Sequence, residues 1–240
     1  MKLLVCDVEG TIFKPHMIKS SLHASYIWTK IAATLGKDAE KEEIITQKKW
    51  RDNDYGFSAS GQAYMNWVKD TIKIHKKHGL TKEIFDNVIN SAEYVDGAEE
   101  FFKRLNRKEY IPVLISGGIQ NLSFKACEDL NIEKQNSFSS CEYFFDNNGK
   151  VDENLTFLNT SNFFGKHEMV KIVLRKYGLN SDDWIFIGDG INDVGIALDS
   201  PISIGIDPIK ELAKVIDYSY IDFYELMNDP TLLEKERLII

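Results

Sequence analysis

Three short apolar segments of this chain each end abruptly in a loop of polar and glycine residues, and this arrangement constrains the fold strongly. The segments are Lys2–Cys6, Ile111–Ile115 and Trp184–Gly188. Short apolar runs bounded by such loops are typical of strands that are buried on both faces, as in a parallel sheet. The sequence therefore predicts central parallel strands with polar loops at their ends.

Helical patterns fill much of the remaining chain. Residues 17–92 carry apolar side chains at helical spacing with no convincing strand between them, which predicts an all-helical insert. The other predicted elements are helices over 97–107, 119–130 and 166–177, a turn at 116–118, a hairpin over 142–151, and strands at 201–206 and 215–218. We expect an α/β fold with two domains, namely a Rossmann-like parallel-sheet core (1–15 and 93–240) and an α-helical cap inserted after the first strand (16–92).

Four carboxylates follow two of the predicted strands. Asp7 and Glu9 come after the first strand, and Asp189 and Asp193 come after the third. Ligands of such sheets bind beyond the carboxyl ends of the strands, where these acids would meet. Several clustered carboxylates cannot all stay ionised without a cation, and hard oxygen ligands suit Mg²⁺. The sequence therefore predicts a magnesium site.

Groups suited to a phosphate lie in the same region. Ser116 offers a hydroxyl, Gly117 offers a backbone amide in a glycine pair, and Lys166 offers a positive charge. Each feature alone has a plain structural interpretation, as a polar turn, a calcium-like turn or a solvated lysine. Their order and strand context together favour phosphoryl transfer.

The composition excludes several other functions. The net charge is −8, so binding to nucleic acid is not expected. The three cysteines, Cys6, Cys127 and Cys141, lack metal-type spacing and suit reduced thiols in a cytoplasm. No signal peptide or membrane-length apolar run is visible, so a cytoplasmic location and no membrane partner are expected.

The four motifs, in this order, resemble those of the haloacid dehalogenase-like (HAD) superfamily. They are DVEGT at 7–11, Ser116 after its apolar strand, Lys166, and GDGIND at 188–193. The glycine pair after Ser116, the GKxE at 165–168 and the IGI at 204–206 are similar to the phosphoserine phosphatase branch, as is the helical insert. The resemblance spans residue 3 to about residue 220. It implies a Mg²⁺-dependent phosphatase, a phosphoric monoester hydrolase that forms an aspartyl-phosphate.

The resemblance also implies a role for each matching position. Asp7 would be the nucleophile, and Glu9 would act first as general acid and then as general base. Glu9 stands where most phosphatases of the family carry Asp, and it keeps the acid–base function. The positions that match the metal site are Asp7, Glu9 (through its carbonyl), Asp189 and Asp193. Those that match the phosphate-binding groups and their supports are Thr11, Ser116, Gly117, Lys166 and Asn192.

The sequence leaves the substrate open. There is no arginine between Arg51 and Arg104, and His16 falls near a position where phosphoserine phosphatases carry Glu, so strict phosphoserine specificity is not expected. Most aromatic residues of the insert are expected in its core, whereas His16, Tyr55 and Phe57 are candidates for contact with the leaving group. We expect a small phosphorylated metabolite as the substrate and either a monomer or a homodimer.

Two other functions fit part of the pattern. A phosphomutase-type phosphotransferase would use the same groups to pass the phosphoryl group to another hydroxyl. A non-catalytic phospho-aspartate receiver or binding module would also place acids around Mg²⁺, although receivers normally lack a helical insert of this size. Dehalogenation suits the lysine and the acidic metal-type cluster less well than phosphate chemistry does.

Overall fold

A computed structural model describes residues 1–17, 24–25, 27–56, 60–153, 156–158 and 164–239. The strands in this part of the chain are β1 (Lys2–Cys6), β2 (His16–Met17), β3 (Ala24–Ser25), β4 (Tyr110–Ile119), β5 (Ser137–Glu142), β6 (Phe157–Leu158), β7 (Trp184–Gly188), β8 (Ser203–Ile206) and β9 (Tyr218–Tyr220). The main sheet has the order β6-β5-β4-β1-β7-β8-β9. All neighbouring strands in it are parallel except β5 and β6. The predicted α/β class with a Rossmann-like parallel core is confirmed.

The helices fall into two groups. Those of the segment 27–90 are α1 (Ile27–Leu35), α2 (Lys37–Arg51), α3 (Gly61–Lys77) and α4 (Lys82–Asn90). Those that accompany the main sheet are α5 (Ala98–Arg104), α6 (Gln120–Asp129), α7 (Phe164–Tyr177), α8 (Val194–Asp199), α9 (Phe223–Met227) and α10 (Pro230–Glu236). Within the described ranges, no helix is both long and apolar enough to cross a bilayer.

The strands of the sheet centre are buried on both faces, as their unbroken apolar runs predict. In β1, Leu3 and Val5 pack on one face beside Val170 and Val173 of α7. The alternate residues Leu4 and Cys6 pack on the opposite face in a second apolar cluster. Side chains of a strand point alternately to the two faces, so each short strand contributes to both layers of the core.

In the segment 16–92, predicted as a helical insert, the described helices pack on one another through apolar side chains. Trp28 of α1 packs edge-on against Trp67 of α3 with ring centroids 5.8 Å apart, and Trp50 of α2 stacks on Trp67 at 5.1 Å. Ser60 caps α3 by accepting a hydrogen bond from the Ala63 amide at 3.1 Å. The expectation that most of these aromatic residues form a core agrees with this packing.

The structure differs from the sequence prediction at several places. The strand predicted over 215–218 lies further along the chain, as β9 (Tyr218–Tyr220). The predicted turn at 116–118 lies inside β4, where the register with β5 shifts between Ser116 and Ile119. The strand β5 was not predicted, because its serines lack the apolar pattern that indicates a buried strand. The hydroxyls of Ser139 and Ser123, for example, form a buried hydrogen bond of 2.7 Å. Two-residue strands, β2 and β3, pair within the insert that was expected to be wholly helical.

Candidate active site

The strand order places three polar loops side by side. The strand β1 lies between β4 and β7, with Cys6 paired to Leu114 on one side and to Ile187 on the other. Asp7 follows β1 and Asp189 follows β7. Ser116 lies within β4, two residues beyond Leu114, so all three residues lie at the same edge of the sheet. The sheet topology thus brings together chemical groups that are far apart in sequence.

Three of the predicted acids form a compact cluster. One carboxylate oxygen each from Asp7, Asp189 and Asp193 lies within 4.8 Å of the others. Desolvation raises the pKa of Asp7 to about 6, against the attraction of Lys166. Burial, together with the charges of Asp7 and Asp193, raises the pKa of Asp189 well above its ordinary value. Without a cation this cluster resists full ionisation, which is the electrostatic condition of a divalent metal site.

Lys166 supplies a positive charge inside the cluster. Its side chain is fully buried, and its Nζ donates to Asp193 Oδ1 at 2.6 Å. The same Nζ lies 2.9 Å from Asp7 Oδ1, an ion-pair contact that lacks the geometry of a hydrogen bond. Burial opposes the charge on Lys166, but Asp193 and Asp7 more than offset it and raise its pKa above the ordinary value. Asp7 Oδ1 therefore has no hydrogen-bond partner among the described residues.

Two residues hold the third loop in place. Asp193 Oδ2 accepts hydrogen bonds from the amides of Asp189 and Gly190, both at 3.0 Å. Thr11 is buried and its hydroxyl donates to Asp189 Oδ1 at 2.8 Å. Thr11 thus orients an acid of the cluster, in line with the supporting role implied by the family, and its contact with phosphate stays a prediction.

Glu9 is held by the helical insert rather than by the acid cluster. Its Oε1 accepts a hydrogen bond at 2.7 Å from the amide of Ile27, the first residue of α1. A Cβ added at Gly118 would lie 2.2 Å from Oε2 of Glu9, so the two segments approach as closely as glycine allows. Desolvation, opposed by the Ile27 hydrogen bond and reinforced by Asp7, raises the pKa of Glu9 to about 8.

The loop of the second motif packs tightly under the insert. Ser116 is buried, and its Oγ accepts a hydrogen bond at 3.0 Å from the amide of Gly118. The hydroxyl of Tyr64, on α3, donates to the carbonyl oxygen of Gly117. In the third motif, Asn192 lies against Gly190, where an added Cβ would be 2.7 Å from Asn192 Oδ1. These contacts leave the glycine backbones close to the predicted phosphate position.

The candidates for contact with the leaving group are placed less centrally. The hydroxyl of Tyr55 donates to Asp70 Oδ2 at 2.8 Å, a contact within the insert. The side chain of His16 and the whole of Phe57 lie outside the described residues. Sequence reasoning missed the Ile27 amide and Tyr64. The amide has no sequence signature, and Tyr64 was grouped with the core aromatic residues.

A cavity of about 260 Å³ opens beside Glu9. Its walls include Phe13 of the core, Ile27 and Lys30 of α1, and Leu122 of α6. It therefore lies between the sheet and the helical insert and reaches the acid held by the Ile27 amide. Its size suits part of a small metabolite.

The fold and this arrangement of acids and lysine are those of a hydrolase. The family model described as haloacid dehalogenase-like hydrolase matches residues 1–199. The chain therefore belongs to the haloacid dehalogenase-like hydrolases. The predicted family, fold and enzyme class, a phosphoric monoester hydrolase, are confirmed.

Curated relatives lie in one branch of this family. The phosphoserine phosphatase of Wolinella succinogenes is 26% identical over 82% of this chain and 82% of its own length. That of Methanocaldococcus jannaschii is 22% identical over 81% of this chain and 80% of its own length.

Solved structures share the fold. A crystal structure of phosphoserine phosphatase in apo form superposes with a TM-score of 0.71 at 18% identity, covering 94% of this chain and 97% of that one. A phospho-aspartyl intermediate analogue of phosphoserine phosphatase gives a TM-score of 0.70 at 19% identity, covering 94% of this chain and 97% of that one. The chain is thus similar to the phosphoserine phosphatase branch predicted from its motifs.

Proposed function

We propose that this hydrolase releases phosphate from a small phosphomonoester metabolite through an aspartyl-phosphate formed on Asp7. The carrying observation is the state of Asp7, which is 4% exposed and lies beside the buried Lys166 within the acid cluster. Its Oδ1 has no hydrogen-bond partner among the described residues. A buried carboxylate that is paired with a lysine inside an acid cluster is suited to attack a phosphorus atom.

The donor set fits Mg²⁺. The three clustered aspartates offer hard oxygen ligands. Burial, together with the charges of neighbouring acids, raises the pKa values of Asp7 and Asp189 despite the nearby Lys166, and a bound cation would favour their charged forms. We expect Asp7, Asp189 and the Glu9 carbonyl to hold the ion, with Asp193 fixing the loop through the amides of Asp189 and Gly190. A bound Mg²⁺ would neutralise phosphoryl oxygens and lower the barrier to attack.

The residues of the chain then share two steps. In the first, a carboxylate oxygen of Asp7 bonds to phosphorus while the bond to the leaving oxygen breaks, and Glu9 gives that oxygen its proton. In the second, water attacks phosphorus, Glu9 takes up a proton from it, and the Asp7 carboxylate leaves. Lys166, the Ser116 hydroxyl and the Gly117 amide would hold the phosphoryl oxygens, with Asn192 nearby.

We further propose that residues 16–92 act as a cap over the core formed by 1–15 and 93–240. Two contacts support this division, because the Ile27 amide binds Glu9 and the Tyr64 hydroxyl binds the Gly117 carbonyl. The leaving group would occupy the cavity beside Glu9, where the cap excludes water from the reacting atoms. Phosphoserine is one substrate to try, because the relatives are named for it. Phosphoethanolamine, phosphocholine and the phosphorylated intermediates of methionine salvage complete the panel.

The test is the release of inorganic phosphate from p-nitrophenyl phosphate and from a panel of phosphorylated metabolites, with and without Mg²⁺. We expect Mg²⁺-dependent turnover by the wild type and none by Asp7→Asn. Activity that survives in Asp7→Asn would refute the mechanism. An isomerised product with little free phosphate would indicate a mutase, and a stable acyl phosphate without turnover would indicate a receiver.

A further inference from the structure

Tyr64 makes a contact between the helical insert and the catalytic loop that the motifs do not predict. Its side chain is 4% exposed, and its ring packs against Trp50 and Trp67 with centroids 5.6 and 5.3 Å away. Phenylalanine would satisfy this packing equally well. A buried tyrosine hydroxyl needs a polar partner, and here it donates to the carbonyl oxygen of Gly117.

The Gly117 carbonyl that Tyr64 binds belongs to a peptide group that also lies against Ser116 and Glu9. The same peptide contains the Gly118 amide, which donates to Ser116 Oγ at 3.0 Å. Because a peptide group is planar, holding its oxygen also fixes the direction of its N–H. With Oγ already accepting from Gly118, the hydroxyl proton of Ser116 stays available for a phosphoryl oxygen. Gly118 also lies against Glu9, where an added Cβ would be 2.2 Å from Oε2.

We propose that Tyr64 is a positioning residue, which orients the 117–118 peptide and through it Ser116 when the insert covers the core. This inference rests on the proposed phosphatase function. The insert would then help to fix the position of Ser116 in the phosphate site. The Ile27 amide gives Glu9 a matching contact from the same insert, so both contacts are lost together if the insert lifts.

The experiment compares Tyr64→Phe with Tyr220→Phe. Each substitution removes one hydroxyl from a buried tyrosine, but the Tyr220 hydroxyl binds Asp229 Oδ2 at 2.7 Å and, in the described part of the chain, has no contact with the 117–118 peptide. We expect Tyr64→Phe to lower kcat for p-nitrophenyl phosphate roughly tenfold, about the worth of one buried hydrogen bond, with KM almost unchanged. Inhibition by orthovanadate with Mg²⁺ should weaken by a similar factor. Tyr220→Phe should leave kcat and orthovanadate inhibition within about twofold of the wild type.

A second measurement does not depend on turnover. Amide hydrogen exchange at Gly118 should quicken roughly tenfold in Tyr64→Phe and stay unchanged in Tyr220→Phe, because only the former frees the peptide. Unchanged exchange and unchanged kcat in Tyr64→Phe would overturn the inference. A raised KM with normal kcat would also overturn it, since Tyr64 would then bind the leaving group. If the wild type released no phosphate, the proposed function would fail, and the exchange rate would still decide whether Tyr64 holds the loop.

Discussion

The carboxyl group of Glu43 should make the stability of this protein fall as the pH rises. Glu43 lies on α2 inside the insert and is fully buried, and neither of its oxygens has a hydrogen bond of good geometry to a described residue. Desolvation raises its pKa from 4.5 to about 7, although the nearby Thr71 hydroxyl favours the charged form. Replacing Glu43 by Gln removes the charge while keeping the shape.

The size and sign of the effect follow from this pKa. Because the folded protein holds the proton more tightly than the unfolded chain does, the stabilisation is complete below pH 4.5 and is lost as the pH rises through about 7. Each pKa unit corresponds to about 1.4 kcal/mol, so the wild type should lose about 2 to 3 kcal/mol relative to Glu43→Gln between roughly pH 5 and pH 8. Above that range the difference should stay constant.

Urea denaturation of both proteins at several pH values measures this difference directly. Glu40→Gln is the matched control, because it removes the same charge from a less buried position on the same helix. Its stability curve should run parallel to that of the wild type. If the difference in the free energy of unfolding between Glu43→Gln and the wild type did not grow between pH 5 and pH 8, the pKa of the Glu43 carboxyl group would not be raised by burial, and the reasoning would be wrong.

Three further substitutions test the site and its cavity. Gly118→Ala would place a Cβ 2.2 Å from Oε2 of Glu9 and so displace this side chain. We expect kcat to fall roughly a hundredfold while the circular dichroism spectrum stays unchanged. A near-normal kcat would show that Glu9 can move without loss of activity. Thr11→Val removes the hydroxyl that donates to Asp189 Oδ1, so the Mg²⁺ concentration for half-maximal activity should rise about tenfold. If that concentration did not change, Thr11 would not orient Asp189. Lys30→Met removes a cation from the wall of the cavity, so KM should rise about fivefold for phosphomonoesters with a carboxylate in the leaving group and stay the same for p-nitrophenyl phosphate. Equal changes for both substrates would place the leaving group elsewhere.

The sequence predicted the sheet centre better than its edge, for a physical reason. The strands β1 and β7 are buried on both faces, so their apolar runs carry an unmistakable signal. The strand β5 is also mostly buried, but many of its residues are serines whose polar groups form hydrogen bonds inside the protein. The Ser139 amide, for example, donates to Gln120 Oε1 at 2.7 Å. Periodicity of apolar residues cannot detect a strand that is buried through polar pairs.

The candidate site shows the same division. The acids and Lys166 could be predicted because clustered charge at strand ends has few uses other than binding a cation or an anion. The contact of Glu9 with the Ile27 amide could not be predicted, since any residue offers an amide. The contact of Tyr64 depends on how the insert docks, which local sequence patterns do not specify.

The central place of β1 has a consequence for how the protein is made. The strand Lys2–Cys6 pairs with residues near 110 and near 184, which are synthesised well after it. Such long-range pairing is slow and leaves hydrophobic strand edges open to other chains during synthesis. The strand that leads to Asp7 therefore stays unpaired on one side until the residues near 184 have left the ribosome, and a chaperone that shields this strand should raise the yield of folded protein.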